Sequence, residues 1–186
     1  PLHFGGKQSV EKIPAEKLIV HGVKINIASF AAENPDYLFS LNDVIEWEQK
    51  NGAIPIGSVV LVQTNWSNRW DNADEYFGRD ERGMHFPGVA LEAAVYLIKT
   101  RQIIGLGIDT AGIDGGRSGD FLVNALLARH NLFHLENLSN LDCLGAHDFY
   151  LFIGALKIKN GSGSPCRILA FFSDSSSFGT DVVKTE

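Results

Sequence analysis

Along this chain the apolar positions change their period several times, and each change marks an element. In "IPAEKLIVHGVKINIA", Val23, Ile25 and Ile27 alternate with other residues, the period-two signature of a half-buried strand. Pro14 to Leu18, just before it, reads as a turn or short helix. "SLNDVIEWEQKNGAIP" switches to helical spacing: Leu41, Val44, Ile45 and Glu48 share a stripe, with Val44 and Ile45 as core anchors. Ser40 caps this helix, Asp43 lies near the positive end of its dipole, and Gly52 and Pro55 stop it.

"SVVLVQT", residues 58–64, is apolar almost throughout, as expected for a strand buried on both faces. "QIIGLGID" (102–109) is a short apolar strand ending on an aspartate, and "LFHLENL" is another. "FYLFIGALKI" and "CRILAFF" are two further strands joined by the turn-rich "KNGSGSP". Helices are expected from Pro87 to about Arg101, with Ala90, Ala93, Ala94, Leu97 and Ile98 inward, and over "SGDFLVNALLARHN", capped by Ser118 or Asp120. Strands alternating with helices, and hairpin-like strands at the end, predict one mixed α/β domain over residues 1–172. The Ser-rich residues 173–186 read as a loose tail. Between residues 65 and 88 the periodicity lapses into a long aromatic and polar loop. A connection of that length is either functional or a segment stapled down by its own Trp66, Trp70, Tyr76 and Phe77.

Composition narrows the classes. The net charge of −6, with no Lys/Arg cluster, argues against a nucleic-acid partner, which needs concentrated positive charge. No apolar run reaches the length of a membrane span. Cys143 and Cys166 are too few for a disulfide scaffold and wrongly spaced for a Cys-x-x-Cys metal site, so they read as two buried thiols. The chain opens on Pro1 in mid-pattern and reads as a fragment of a longer one; no leader fixes a compartment, and the cytoplasm is the expectation.

The groups able to do chemistry are His3, Asp109, Asp114, Asp120, Asn124, His130, His134 and Glu136. Glu136 stands in an otherwise apolar strand, where a carboxylate needs a cation or hydrogen-bond donors. His134, two residues earlier, shares its strand face: the two form a ligand pair, or His134 is an exposed strand residue. His130 closes a helix, where an imidazolium suits the negative end of the dipole. His21 and His147 read as loop residues without an acid at ligand spacing, whereas His85, in the long loop, can face a substrate. Asp109 ends a strand, where α/β folds place their sites, and an aspartate there equally caps the next turn. "GGRSGD" lacks the lysine of a phosphate loop, and no Gly-x-Ser-x-Gly elbow is present, which speaks against a nucleotide-phosphate site and a serine hydrolase.

The blocks "WEQKNGAIPIGSVVLVQTNWSNRW", "YFG", "MHFPGVALEAAVYLI", "GLGIDTAGID", "HLENLSNLD" and "LKIKNGSGSPCRILA" follow one another as in the metal-dependent cyclase family, which includes bacterial-type kynurenine formamidases and isatin hydrolase. The resemblance runs from Pro1 to about Ala170 and implies a swivelling β/β/α domain: a mixed sheet with a barrel-like core and flanking helices. "PLH", residues 1–3, resembles the end of the family signature His-x-Gly-Thr-His-x-Asp-x-Pro-x-His. The signature's metal ligands would then precede Pro1, and His3 would be the catalytic proton-transfer histidine, a role that suits a group titrating near neutrality. Glu136 matches a metal-site glutamate of the family, and Asn124 stands where kynurenine formamidases carry a metal-binding histidine. A neutral amide oxygen would hold a second ion less tightly. Asn65 stands where many relatives carry glycine, which implies a different loop backbone.

The implied cofactor is a divalent metal, zinc or manganese, and the implied substrate a small aromatic amide. The leading expectation is an arylformamidase converting N-formyl-L-kynurenine to L-kynurenine and formate in tryptophan catabolism. The alternatives are a hydrolase of another cyclic or aryl amide, as isatin hydrolase is, and a non-catalytic binding module. Trp66, Trp70, His85 and Phe86 are the expected substrate-binding residues, and the resemblance carries over a homodimer.

Overall fold

The computed structural model describes residues 8–172. At its centre β1 (Ile19–Asn26), β3 (Val59–Gln63), β5 (Gly105–Ile108) and β6 (Phe133–Leu135) run parallel, and β7 (Phe149–Ala155) and β8 (Cys166–Phe172) extend the sheet antiparallel. The order across the sheet is β6-β5-β3-β1-β7-β8. A parallel pair, β2 (Leu38–Phe39) with β4 (Gly88–Val89), stands apart. The large sheet curls into a half-barrel flanked by α1 (Ala28–Glu33), α2 (Leu41–Asn51), α4 (Leu91–Lys99) and α5 (Leu122–Arg129), while α3 (Ala73–Phe77) lies in the long loop. No helix among the described residues is long and apolar enough to cross a membrane.

The period of two explains why β3 is buried on both faces. Val60 and Val62 join Val23 and Ile25 of β1, and Ile27 just past its end, against Val44 and Trp47 of α2 and Ala93, Ala94 and Leu97 of α4. Val59 and Leu61 face the other way and, with Leu135, Leu151 and Ile153, fill the inside of the curl. Each fully buried Val, Leu or Ile contributes about 1.5–3 kcal/mol.

Five local expectations are corrected. The anchors of α2 are Val44 and Trp47, with Ile45 half-buried, because the indole N–H of Trp47 reaches the Lys24 carbonyl at 2.9 Å and draws that side inward; the Ser40/Asp43 capping box forms as expected. The helix after Pro87 begins only at Leu91, because Gly88 and Val89 first pair with β2. Neither Ser118 nor Asp120 caps α5. The Asp114 carboxylate does, accepting the N–H groups of Val123 (2.9 Å) and Asn124 (3.0 Å), while Ser118 holds only Phe121 N–H. The thiols are not both buried: Leu141 is the inward residue of its turn, which leaves Cys143 exposed, and Cys166 is intermediate. His21 also moves, from loop to β1, where its ring lies 4.1 Å from Tyr150.

Gly22 of β1 lies directly opposite Phe149 of β7, whose ring occupies the space a side chain would take: a Cβ there would stand 1.9 Å from it. Gly22→Ala should therefore destabilise the protein by about 1–3 kcal/mol, the usual range for overpacking. A lowered urea midpoint checks this; an unchanged midpoint would mean the ring simply moves aside.

Candidate functional site

Because β3, β5 and β6 are parallel, Thr64, Asp109 and Glu136 all emerge at one end of the sheet, the end where α/β folds place their sites. Asp109 is 1% exposed and is pinned to the neighbouring strand: its Oδ1 accepts from Thr64 N–H at 2.9 Å and from the Thr64 hydroxyl at 2.6 Å. Burial raises its pKa, although the bonds from Thr64 work against this. The next residue, Asn65, has φ 60°, the left-handed region that asparagine and glycine both tolerate. Glycine would accept the same φ at this position.

Glu136 lies just past the end of β6, not inside it, because this edge strand is only three residues long. Its side chain is 29% exposed; Oε1 accepts from Ile113 N–H at 3.1 Å and lies 3.3 Å from Nε2 of His134 on the same strand face. Asn124 is half-buried in α5, and its amide Nδ2 lies 3.3 Å from Asp114 Oδ2, as part of the helix cap. His130 is the exposed C-terminal cap of α5. His3 lies outside the described residues. Among the described residues no group of three or more His, Cys, Asp or Glu stands together as a metal site.

The long loop is stapled by its own aromatics. Trp66 (2% exposed), Tyr76 and Phe86 form a buried cluster in which the Trp66 indole N–H donates to the Tyr76 carbonyl at 2.7 Å. Trp70 remains 58% exposed, edge-on to Tyr76 at 5.2 Å. Tyr76 is more than the staple its sequence position suggests: its hydroxyl donates to Asn137 Oδ1 at 2.8 Å. Burial, followed by the charges of Asp109 and Glu136, pushes the Tyr76 pKa up, so this hydroxyl keeps its proton. The available signal was a tyrosine where phenylalanine would have filled the same apolar space.

Three cavities divide the candidates. One of about 80 Å³ has Glu136 and Asn137 on its wall with Leu61, Leu151 and Ile168. A polar one of about 220 Å³ is bounded by Asn65, Asp109, Asn140 and Asp142. A larger one of about 310 Å³ involves Phe86, Asp36, Asp114 and Leu122 but not Glu136. Glu136 is thus in the small apolar cavity, while Phe86 borders a different one.

A curled mixed sheet with helices on its flank and a carboxylate at the C-terminal rim is the architecture of a cyclase-type α/β domain. The profile of the Cyclase family, described as "Putative cyclase", matches residues 1–115, and the chain belongs to that family. It is 34% identical over 164 residues to the isatin hydrolase of Roseibium aggregatum, covering 86% of this chain and 62% of that protein. Isatin hydrolase A from Labrenzia aggregata, solved with benzyl benzoate, superposes with a TM-score of 0.87 at 36% identity, over 91% of this chain and 67% of that one. An isatin hydrolase bound to the product analogue thioisatinate gives 0.83 at 34% identity, over 86% and 62%. The chain thus spans less than two thirds of the curated relative's length.

His85 ties the loop down through two carboxylates, with Nδ1 2.9 Å from Asp36 and Nε2 3.1 Å from Asp80. The bond to Asp36 has the largest influence and raises the imidazole pKa above 6.5, against the opposing effect of burial. A raised folded-state pKa stabilises fully below the unfolded value and loses its effect as pH climbs through the folded one. His85→Gln should thus cost most stability below about pH 6.5 and progressively less above it. Denaturant unfolding across pH checks this; a pH-independent difference between the two proteins contradicts it.

Proposed function

We propose that this chain is the larger part of a metal-dependent hydrolase that opens a cyclic aryl amide such as isatin. The observation that carries this reading is the 34–36% identity to isatin hydrolases over at least 86% of the chain. The same relatives favour isatin over N-formyl-L-kynurenine, the leading expectation from the sequence. The position of Glu136 on an apolar cavity supports the reading, because it sets one charged group beside a surface fit for an aryl ring.

Glu136 fits a borderline divalent ion, zinc or manganese, as a carboxylate donor; the amide of Asn124 fits more weakly. Bound there, such an ion lowers the pKa of a water and polarises the amide carbonyl. This chain's residues do the rest. Ile113 N–H fixes the direction of the Glu136 carboxylate. Leu61, Leu151 and Ile168 exclude bulk water and receive the ring. Exposed Trp70, backed by Tyr76, offers an outer aromatic face, while Trp66, Phe86 and His85 hold the loop that carries it. Water oxygen adds to the carbonyl carbon as one of its protons passes to the imidazole of His3, the C–N bond breaks, and the departing arylamine nitrogen takes that proton from His3. The remaining metal ligands belong, on this reading, to sequence preceding Pro1, and the working unit is a homodimer.

The test is a substrate panel on the chain extended upstream to the relatives' length, supplied with zinc or manganese. Isatin should exceed N-formyl-L-kynurenine at least tenfold in kcat/KM. The opposite ranking would restore the arylformamidase, and turnover of neither would favour a non-catalytic binding module. Glu136→Gln should lower activity about 100-fold and reduce retained metal, since a carboxylate donor becomes a neutral amide. Unchanged turnover and metal content would assign Glu136 a structural role only.

A further inference from the structure

Asn137 follows Glu136, sits at φ 55°, and borders the same cavity of about 80 Å³. Its side-chain amide has one acceptor end and one donor end. The acceptor is already engaged: the Tyr76 hydroxyl donates to Oδ1 at 2.8 Å. That distance is normal for O–H···O, whereas the other oxygen near the hydroxyl, the Asp109 carbonyl, is 3.4 Å away. The hydroxyl proton therefore goes to Asn137, and the amide orientation is set by a residue that is itself buried at 3% exposure. Tyr76 is held in turn by the Trp66 indole N–H on its carbonyl. The backbone on the other side is equally fixed, with Asn137 N–H donating to the Thr110 carbonyl at 2.9 Å.

From this arrangement we infer that Asn137 is a substrate-binding residue whose NH₂ group, turned to the cavity, donates to a carbonyl or carboxylate oxygen of the substrate, and that Tyr76 is the positioning residue that fixes this orientation. The inference rests on the hydrolase reading above and adds a neutral donor beside the Glu136 carboxylate. The pairing is chemically complementary. A cyclic aryl amide carries oxygen acceptors next to the bond that breaks, and its ring-opened product carries a carboxylate there. A carboxylate side chain alone would repel both.

The experiment measures isatin binding by calorimetry on the upstream-extended chain, for wild type, Asn137→Gly, Asn137→Asp and Tyr76→Phe. Glycine and aspartate both accept the left-handed backbone, so these variants preserve the fold. Asn137→Gly and Asn137→Asp should raise the isatin Kd at least tenfold with melting temperatures within a few degrees of wild type. Tyr76→Phe should raise Kd about threefold by freeing the amide to turn. In ¹⁵N-labelled protein the Asn137 NH₂ should show no strong NOE to the Tyr76 ring. A strong NOE would place the amide the other way round and overturn the inference whatever the substrate. Wild-type binding with an unchanged Kd in Asn137→Gly would overturn the inference alone; wild type that fails to bind isatin would overturn the substrate reading with it.

Discussion

A carboxylate cannot stay buried without donors, and the end of the sheet is organised around meeting that requirement at Asp109. Thr64 supplies two bonds, one from its backbone and one from its hydroxyl, so the ends of β3 and β5 are locked in register. The same hydroxyl oxygen accepts from Trp66 N–H at 3.2 Å and so starts the long loop in a fixed direction. Trp66 then holds Tyr76, and Tyr76 reaches Asn137. One buried charge is thus connected, bond by bond, to the residue beside Glu136.

This connection gives the loop its character. It is long, yet Trp66, Tyr76 and Phe86 are as buried as core residues. Arg69 lies over the Trp66 ring at 3.8 Å, closing it from solvent. The aromatics that the sequence offered as substrate contacts are therefore divided: Trp66 and Phe86 hold the loop in shape, and Trp70 is the one left open on its surface. Function and stapling are the two readings the sequence allows for this segment, and the structure shows the stapling directly.

The strands were legible in the sequence because burial imposes simple periods on them. "SVVLVQT" and "QIIGLGID" read plainly as apolar strands, and the strand residues Val59–Gln63 and Gly105–Ile108 within them are all buried. The helix with Ser40 and Asp43 was legible for the same reason, since its cap is local. What escaped was non-local. The cap of α5 comes from Asp114 across a turn, and nothing in "SGDFLVNALLARHN" announces it. The delay of α4 is caused by a strand pairing with residues fifty positions earlier. At the site, Glu136 was legible as a carboxylate out of place among apolar neighbours. Its exposure at the rim depended on where an edge strand stops, and the partnership of Tyr76 with Asn137 links positions 61 residues apart.

Five of the eight non-glycine residues with positive φ among the described residues are asparagines: Asn65, Asn131, Asn137, Asn140 and Asn160. Such positions are interchangeable with glycine as far as the folded backbone is concerned, and the difference lies chiefly in the disorder of the unfolded chain, worth about 0.4–1 kcal/mol. Replacement at Asn131 would therefore pass almost unnoticed by the fold. At Asn65 and Asn137 it would not be silent, because Gln63 and Tyr76 use their amide oxygens. Among descendants of this sequence, a glycine at either position would leave the shape of the chain intact while erasing a side-chain contact at the rim of the sheet.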